Sequence, residues 1–393
     1  MTTETVLIIG AGQAGAEAAW RLRELGHEGA VILAGAESHA PYERPPLSKK
    51  FLSGTGDTAR LQLRKPTAYT EAGIDLLTGT AVRDLDTEAG TATTANGARI
   101  DFDHCILALG ATPRHLPQSV PGGRAARVLR DLDDAAELRE TLQAGRRLVV
   151  IGGGYLGMEV AATARGRDVA VSVVEAAPAI MNRGVSQQTA AFFHAAHEAR
   201  CVAVKTGVAV ASIRPGKGGD LLTLDSGEEL EAGIVIAAIG VAPNTALAAA
   251  AGIDCDDGIL VDGNCRTSVP GVYAIGDCAA QLVPSSGRRL RLESVQGAVT
   301  HARLAAAAIT GTDPPPERAP YFWTEQYSYR LQMAGLADPS RPCEDLLRGS
   351  PEDGSFTVYR FQDDVLAAVE AVNNPVDFVR SQGRIGQSRE TFE

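Results

Sequence analysis

The sequence predicts an α/β protein built on buried parallel strands, with a smaller α+β domain at its C-terminal end. One strand–glycine turn–helix–strand pattern occurs twice, starting at Val6 and at Leu148. Further apolar runs end in a glycine, as is typical of buried parallel strands; they are Cys105 to Gly110, Ile234 to Gly240 and Val272 to Gly276. Past a Pro-rich run at 313–316 the pattern changes to short strands; they are Arg330 to Met333, Phe356 to Phe361 and Val365 to Val372.

Length and composition limit the class of protein. A chain of 393 residues suits two or three domains, and 45% hydrophobic with 22% charged residues is typical of a globular chain. Apolar runs long enough to span a membrane and a basic leader are both missing, so we expect a cytoplasmic protein without a membrane partner. The net charge of −11 disfavours nucleic acid, because phosphate binding requires a basic face.

The cysteines argue against metal and disulfide chemistry. None of the six is spaced C-x-x-C or C-x-x-x-x-C, so zinc-ribbon and plant-type iron–sulfur sites are not predicted. The same spacing disfavours a redox-active disulfide. We therefore expect reduced, inert thiols and no bound metal.

The repeated unit carries a glycine-rich turn in each copy. The first copy contains Gly10-Ala11-Gly12-Gln13-Ala14-Gly15, a helix-like run from Ala16 to Leu25 and a strand from Ala30 to Leu33. The second contains Gly152-Gly153-Gly154-Tyr155-Leu156-Gly157, a helix-like run from Met158 to Ala164 and a strand from Val169 to Val174. Such turns let the backbone approach a pyrophosphate at a helix N-terminus. Two turns predict two dinucleotides, and the economical pair is FAD with a nicotinamide, since hydride passes between them.

An acidic residue at the end of each unit bears on the choice of dinucleotide. Glu175 closes the second strand of the second copy, where a carboxylate can accept the ribose hydroxyls of an adenosine and would repel a 2′-phosphate. This favours NADH over NADPH. Glu37 can serve the ribose in the first copy, although its register is uncertain by one residue.

Two other segments are candidate contacts to the flavin. Gly276-Asp277 ends an apolar strand, and an aspartate there can bond a ribityl hydroxyl; alternatively it is a common turn. The Pro-rich segment 41–49 carries Arg44 and Lys49, which could stabilise negative charge on the reduced ring. A surface loop with solvated charges is the alternative for that segment.

Together, the two glycine turns, the segment from Tyr42 to Lys49 and Gly276-Asp277-Cys278-Ala279 resemble the FAD-dependent ferredoxin reductase family, over nearly the whole chain. The resemblance implies a glutathione-reductase-like fold with two Rossmann-type dinucleotide-binding domains plus a small α+β C-terminal domain. It implies an FAD-binding domain at 1–112 and 240–315, an NAD-binding domain at 113–239 and a C-terminal domain at 316–393.

The resemblance also assigns site residues. Lys49 is the candidate catalytic residue, beside the flavin. Together with the motifs above, it gives these candidate FAD contacts: Gly10, Gly12, Ala14, Gly15, Glu37, Arg44, Val82, Arg130, Gly240, Gly276, Asp277 and Val295. The contacts to NADH that it implies are Gly152, Gly154, Tyr155, Leu156, Gly157, Glu159 and Glu175. Three positions depart from the family pattern. Ala36 stands where relatives often have an acidic residue, so Glu37 is the candidate substitute; His301 replaces a common glutamine, and Ala108-Leu109-Gly110 replaces Ala-Thr-Gly.

The activity implied is hydride transfer from NADH to FAD, followed by single-electron transfer to a 2Fe–2S ferredoxin of Rieske, plant or adrenodoxin-like type. That ferredoxin would serve an aromatic-ring-hydroxylating Rieske dioxygenase in aromatic hydrocarbon catabolism, or alternatively a cytochrome P450. The sequence also leaves open an NADH oxidase that uses oxygen directly, a disulfide or peroxide reductase that uses Cys278, and a slow NADH-sensing module. We expect a monomer or weak homodimer. The ferredoxin is expected to dock over the flavin edge, near Arg and Lys side chains. The densest basic cluster of the sequence is Arg288, Arg289 and Arg291.

Overall fold

The computed structural model describes residues 3–283 and 288–392. The chain forms two compact units, each assembled from three separate stretches. Unit 1 comprises Met1–Glu43, Ala59–Thr112 and Ala242–Arg318. Unit 2 comprises Arg44–Thr58, Pro113–Val241 and Ala319–Glu393. The sequence-based domain boundaries stay a prediction.

The first part of the chain alternates strands with two helices. In order these are β1 Val6–Ile9, α1 Gln13–Glu24, β2 Val31–Ala34, α2 Pro66–Glu71, β3 Ile74–Leu77, β4 Val82–Asp86, β5 Thr91–Thr94, β6 Arg99–Asp101, β7 His104–Leu107 and β8 Ala111–Pro113. The next part repeats the alternation. It contains α3 Leu132–Thr141, β9 Arg147–Ile151, α4 Tyr155–Arg165, β10 Ala170–Glu175, α5 Gln187–Glu198, β11 Ala203–Thr206, β12 Val210–Gly216, β13 Gly219–Leu224, β14 Glu229–Ala232, β15 Ile234–Ala237 and β16 Val241–Pro243.

The last part is richer in strands. It begins with α6 Ala246–Ala250, β17 Cys255–Asp256, β18 Gly258–Val261, β19 Val272–Ala274, β20 Ala279–Val283, β21 Arg288–Leu290 and α7 Val295–Thr310. It ends with β22 Tyr321–Gln326, β23 Tyr329–Gly335, β24 Glu344–Ser350, β25 Ser355–Gln362, β26 Val365–Val372 and α8 Pro375–Gln382. Short 3-10 helices lie at Pro45–Ser48, Thr58–Leu61, Gly123–Ala125, Gly276–Cys278 and Arg389–Phe392.

Unit 1 is organised around a parallel sheet of five strands in the order β19-β7-β1-β2-β3. Side chains of β1 alternate between its two faces. Val6 and Ile8 pack with the alanines of α1 and α7, whereas Leu7 and Ile9 pack with a second apolar cluster that includes Leu85. Burial on both faces explains the unbroken apolar runs in the sequence.

Unit 2 contains a parallel sheet of four strands in the order β11-β10-β9-β15. It also contains an antiparallel sheet of five strands in the order β22-β23-β26-β25-β24, whose apolar core includes Phe378 of α8. This second sheet is the predicted small α+β element. The parallel and antiparallel sheets confirm the predicted fold class.

Both helices after the glycine turns begin earlier than the sequence pattern predicts. The helix α1 begins at Gln13 rather than Ala16, and α4 begins at Tyr155 rather than Met158. Gly12 and Gly154 directly precede the two helices, so Gly15 and Gly157 lie inside the first helical turn. Among the described residues, no helix combines the length and apolar character needed to cross a bilayer.

Candidate functional site

The glycine turn of unit 1 is fixed by close backbone contacts. Gly10 has φ +114°, and a Cβ built there would lie 2.1 Å from the Ala108 carbonyl oxygen. A Cβ on Gly15 would lie 1.9 Å from the carbonyl oxygen of Gly10. Both positions therefore require glycine, the first for its backbone conformation and the second for packing of helix on strand.

The N-terminus of α1 is open beyond this turn. Gly12 occupies the N-cap position with extended backbone, and α1 has no side-chain cap. A Cβ on Gly12 would meet no atom within 4 Å. This free space lies at the positive end of the helix dipole, so the turn fits a dinucleotide pyrophosphate.

The turn of unit 2 repeats this geometry. A Cβ on Gly152 would lie 2.4 Å from the Ala238 oxygen, and one on Gly157 would lie 2.0 Å from the Gly152 oxygen. Gly154, the uncapped N-cap of α4, again faces free space. Each unit thus has a cradle of the same construction that fits a dinucleotide pyrophosphate.

Glu175 is held next to the second cradle. It ends β10, and its Oε2 accepts the backbone N–H of Gly153 at 2.6 Å. Its Oε1 accepts the N–H of Ala177 at 2.7 Å. These bonds fix the carboxylate beside the glycine turn, and each oxygen keeps a further lone pair that can accept a ribose hydroxyl.

Glu37 follows β2 in unit 1 and is half-buried, whereas Ala36 is exposed. The Tyr42 hydroxyl donates to Glu37 Oε2 at 2.5 Å, and the Glu37 carbonyl accepts the N–H of Gly79. The carboxylate is therefore oriented by its own unit. Its role as substitute for the usual acidic residue stays a prediction.

The loop that carries Asp277 is bonded to a buried histidine. Gly276, at φ +72°, donates its N–H to His301 Nδ1 at 3.2 Å. His301 lies in α7 and is 1% exposed, and burial lowers its pKa to about 4. The imidazole is therefore neutral at pH 7, and its Nδ1 is the acceptor that holds the backbone next to half-buried Asp277.

This burial makes a pH-dependence prediction for His301→Gln. The folded pKa of His301 lies below the ordinary value of 6.5, so the unfolded state binds more protons as the pH falls from 6.5 to about 4, and stability is lost over that window. Glutamine can accept the same N–H without titrating. The free energy of unfolding of the variant, relative to that of the parent, should be about 2 kcal/mol higher at pH 5 than at pH 7. Thermal melts of both proteins at the two pH values measure this, and equal pH dependence would contradict it.

Lys49 and Glu159 form a buried ion pair in unit 2. Lys49 Nζ lies 2.6 Å from Glu159 Oε2, with 15% and 8% of their side chains exposed. The hydroxyl of Ser48 donates to the same oxygen at 2.6 Å, and that of Thr324 donates to Oε1 at 2.7 Å. The residue predicted near the flavin and one predicted to serve NADH are therefore bonded to each other.

Arg44 and Arg130 also contact each other. Arg44 donates to the carbonyl oxygen of Arg130 at 2.7 Å. The N–H of Arg130 donates to Asp134, which together with Asp131 forms the capping box of α3. The Arg130 backbone is thus held from both sides.

Tyr155 and Leu156 begin α4 and differ in environment. The Tyr155 hydroxyl donates to Met333 Sδ at 3.3 Å, and its ring lies 4.7 Å from that of Phe322. Burial raises the pKa of Tyr155 above its ordinary value. Leu156 is 37% exposed. The tyrosine is therefore part of the packing of unit 2, while the leucine faces outward.

The remaining predicted positions lie at the ends of elements. Val82 begins β4 and Val295 begins α7, both half-buried, and exposed Gly240 has φ +96°. Element ends are where backbone groups are available to a ligand. Their contacts to a cofactor stay predictions.

Cys278 is poorly suited to redox chemistry. It is fully buried, its thiol donates to the carbonyl oxygens of Ile275 and Leu107, and burial raises its pKa to about 11. The thiol is therefore protonated at neutral pH, whereas a nucleophilic cysteine needs the thiolate. This disfavours the disulfide or peroxide reductase alternative.

Arg289 and Arg291 of the arginine cluster have partners within unit 1. Arg289 donates to the carbonyl oxygens of Val261 and Ala280. Arg291 pairs with Asp257 and Glu293. These pairs reduce the free positive charge that the sequence suggested there.

Sequence reasoning missed the polar residues around the ion pair. Ser48 lies within the Pro-rich segment 41–49, but Thr324 and Gln326 alternate along a strand and His197 lies in an Ala- and Phe-rich helix. They belong to no motif. The one signal was the presence of polar residues at positions that strand and helix periodicity place in the core.

The chain belongs to the pyridine nucleotide-disulphide oxidoreductase family, whose model matches residues 4–302, and a reductase C-terminal model matches residues 321–391. It is similar to rhodocoxin reductase of Rhodococcus erythropolis, with 40% identity over 381 residues, covering 96% of this chain and 88% of the relative. It is also 34% identical, over 374 residues, to the ferredoxin–NAD(+) reductase component of the anthranilate 1,2-dioxygenase system of Burkholderia cepacia, covering 95% and 92% of the two chains.

A solved structure is similar over the full chain. The crystal structure of the covalent putidaredoxin reductase–putidaredoxin complex matches with a TM-score of 0.94 and 36% identity, covering 100% of this chain and 96% of that one. These findings confirm the predicted ferredoxin reductase family and its fold. The chain is an oxidoreductase with FAD and NAD(H) as its cofactors.

Proposed function

We propose that this chain oxidises NADH and passes single electrons through FAD to an iron–sulfur ferredoxin that serves an aromatic-ring-hydroxylating Rieske dioxygenase. The observation that carries the proposal is the pair of open glycine cradles, one in each unit, with Glu175 fixed beside the second. The likeness to reductases named for ferredoxin-type partners, including one of a dioxygenase system, supports the choice of acceptor.

In this proposal unit 1 holds FAD. Gly10, Gly12, Ala14 and Gly15 accommodate the pyrophosphate at the N-terminus of α1, whose free N–H groups bind its oxygens. Asp277 binds the ribityl chain. Glu37 accepts the adenosine ribose hydroxyls, Val82 offers its backbone to the adenine, and Gly276 and Val295 complete the site. When bound, FAD accepts two electrons as a hydride and releases them one at a time.

The second cradle, in unit 2, binds NADH. Gly152, Gly154 and Gly157 take the pyrophosphate, with Tyr155 and Leu156 flanking it, and Glu175 takes the ribose. Lys49, kept in place by Glu159, provides a cation that stabilises negative charge on the reduced ring. Arg44, Arg130 and Gly240 are further FAD contacts. The chain supplies position and electrostatics, and hydride transfer needs no acid–base residue.

Anaerobic mixing tests the first half of the function. Purified protein should be yellow, and NADH should bleach it within one turnover, whereas failure to bleach with FAD bound would refute the proposal. NADH-dependent reduction of a panel of ferredoxins tests the second half. The strongest reduction should be that of a dioxygenase ferredoxin. Preference for a P450 ferredoxin would indicate the P450 system instead. Oxygen consumption without any ferredoxin would indicate the NADH oxidase.

The carboxylate of Glu175 should set the preference for NADH. In Glu175→Ser the ribose loses a charged acceptor and a 2′-phosphate no longer meets a negative charge. We expect kcat/KM for NADH to fall about 10- to 100-fold, and the preference over NADPH to shrink by a similar factor. Steady-state kinetics with both nucleotides measure this. Glu198→Ser, an exposed glutamate of the same unit, is the control, and an unchanged preference in Glu175→Ser would contradict the assignment.

A further inference from the structure

A chain of buried hydrogen bonds leads away from the Lys49–Glu159 pair within unit 2. Thr324 donates to Glu159 Oε1 at 2.7 Å, and Gln326 Nε2 donates to Thr324 Oγ1 at 3.4 Å. Gln326 Oε1 lies 2.9 Å from His197 Nε2, and His197 Nδ1 lies 2.9 Å from the Tyr327 hydroxyl. The side chains of Thr324, Gln326 and His197 are fully buried, whereas Tyr327 is half-buried.

The donors in this chain all point in one direction. The tyrosine hydroxyl must donate to His197 Nδ1 if His197 is neutral and carries its proton on Nε2, and Nε2 then donates to the amide oxygen of Gln326. Met181 Sδ lies 3.6 Å from Gln326 Nε2, which agrees with this amide orientation. Burial, with smaller effects of Arg200 and His194, lowers the pKa of His197 to about 4, so the ring is neutral at pH 7.

The outer end of the chain has a strained backbone. Tyr327 has φ +58°, a left-handed conformation that bulky residues rarely adopt. Its ring lies 4.8 Å from that of His197, and the Arg200 guanidinium lies 4.3 Å from its centroid. The strain is therefore offset by contacts that keep the hydroxyl on Nδ1.

The inner end of this hydrogen-bond chain is the Glu159 carboxylate, whose negative charge offsets the Lys49 cation. Glu159 Oε2 already accepts from Ser48 and Lys49, so Thr324 is the donor that the structure gives to Oε1. Each donor to a carboxylate withdraws part of its negative charge. With fewer donors, Glu159 would offset more of the Lys49 cation.

We propose that Thr324, Gln326, His197 and Tyr327 are positioning residues that act through Glu159 to set how strongly Lys49 stabilises the reduced flavin. The inference rests on the proposed function, in which Lys49 serves the flavin. Thr324 has the largest effect because it contacts Glu159 directly. Tyr327, three links further out, acts in the same direction with a smaller effect.

The test measures the midpoint potential of bound FAD by equilibration with a reference dye. Thr324→Val removes one hydroxyl at nearly constant volume and should lower the equilibrium constant for flavin reduction about fivefold. Thr324→Ser keeps the hydroxyl and should stay within about twofold, and Tyr327→Phe should lower the constant about twofold. Thr357→Val is the matched control, because Thr357 is also fully buried on a strand of unit 2 but its hydroxyl bonds Asn374. It should not change the potential.

A double-mutant cycle separates this role from a structural one. In a Lys49→Met background Thr324→Val should no longer shift the potential, because the effect passes through that cation. An unchanged potential in Thr324→Val, or a shift that persists without Lys49, would overturn the inference. Neither result would affect the proposed function, which fails instead if the parent protein does not bind FAD or is not bleached by NADH.

Discussion

A Gly12→Asp variant is expected to fold, to purify without FAD and to lack NADH-dependent activity. Gly12 has extended backbone that any residue can adopt, and a Cβ there meets no atom within 4 Å, so the change fits the apoprotein. Aspartate is a favoured N-cap residue and should match glycine in helix stability or exceed it by a few tenths of a kcal/mol. The same carboxylate occupies the pyrophosphate position and repels it, so FAD affinity should fall at least about 100-fold.

The variant should keep or slightly raise the stability of the apoprotein while it lowers the affinity for FAD. This combination makes the experiment specific. Flavin content follows from the visible spectrum of the purified protein, and thermal melts of both apoproteins compare their stabilities. Gly218→Asp adds the same charge at an exposed turn with equally free space and should remain yellow. A Gly12→Asp protein with full flavin content would show that the first cradle does not hold FAD.

Glu370→Ala should be among the most destabilising single changes in unit 2. Glu370 lies on β26 with 2% of its side chain exposed, and it accepts the N–H and hydroxyl of Ser186 at 2.7 Å each. It also lies 3.3 Å from Arg360, which is 18% exposed. Without Glu370 the buried N–H of Ser186 loses its acceptor, and Arg360 loses one of two carboxylate partners and keeps Asp345. We expect a cost of about 2–4 kcal/mol. The apparent melting temperature should fall by about 6–12 °C.

An exposed ion pair of the same unit provides the control. Arg214 and Glu229 lie 2.8 Å apart with half or more of each side chain exposed. Glu229→Ala should therefore cost at most about 1 kcal/mol. Urea unfolding of the parent and both variants measures the difference, and equal losses of stability for the two variants would contradict the role given to burial.

The glycine cradles were predictable from the sequence because their chemistry is local. Within six residues, Gly10, Gly12 and Gly15 determine a turn, a helix start and a close helix–strand contact, and the backbone conformation needed at Gly10 is available only to glycine. The same holds for the second copy. Unbroken apolar runs likewise identified the parallel strands, since burial on both faces leaves no alternation.

The position of each helix start shows the limit of local patterns. The apolar periodicity of α1 and α4 begins inside the helix, so pattern reasoning placed each start three residues too late. A capping side chain is the usual sign of a helix start in a sequence. The residue that precedes each of these helices is a glycine, which has no side chain to provide that sign.

By itself, the sequence determined the fold class, the two cradles and the acidic residue beside the second one, because each depends on residues close together in the chain. Only the tertiary structure decided which polar residues surround Lys49. Glu159 and Thr324 are separated from it by 110 and 275 positions, and the hydrogen bonds that join them form between elements whose pairing no local pattern specifies. Burial removes water as a partner for these groups, so the fold itself must supply each donor and acceptor.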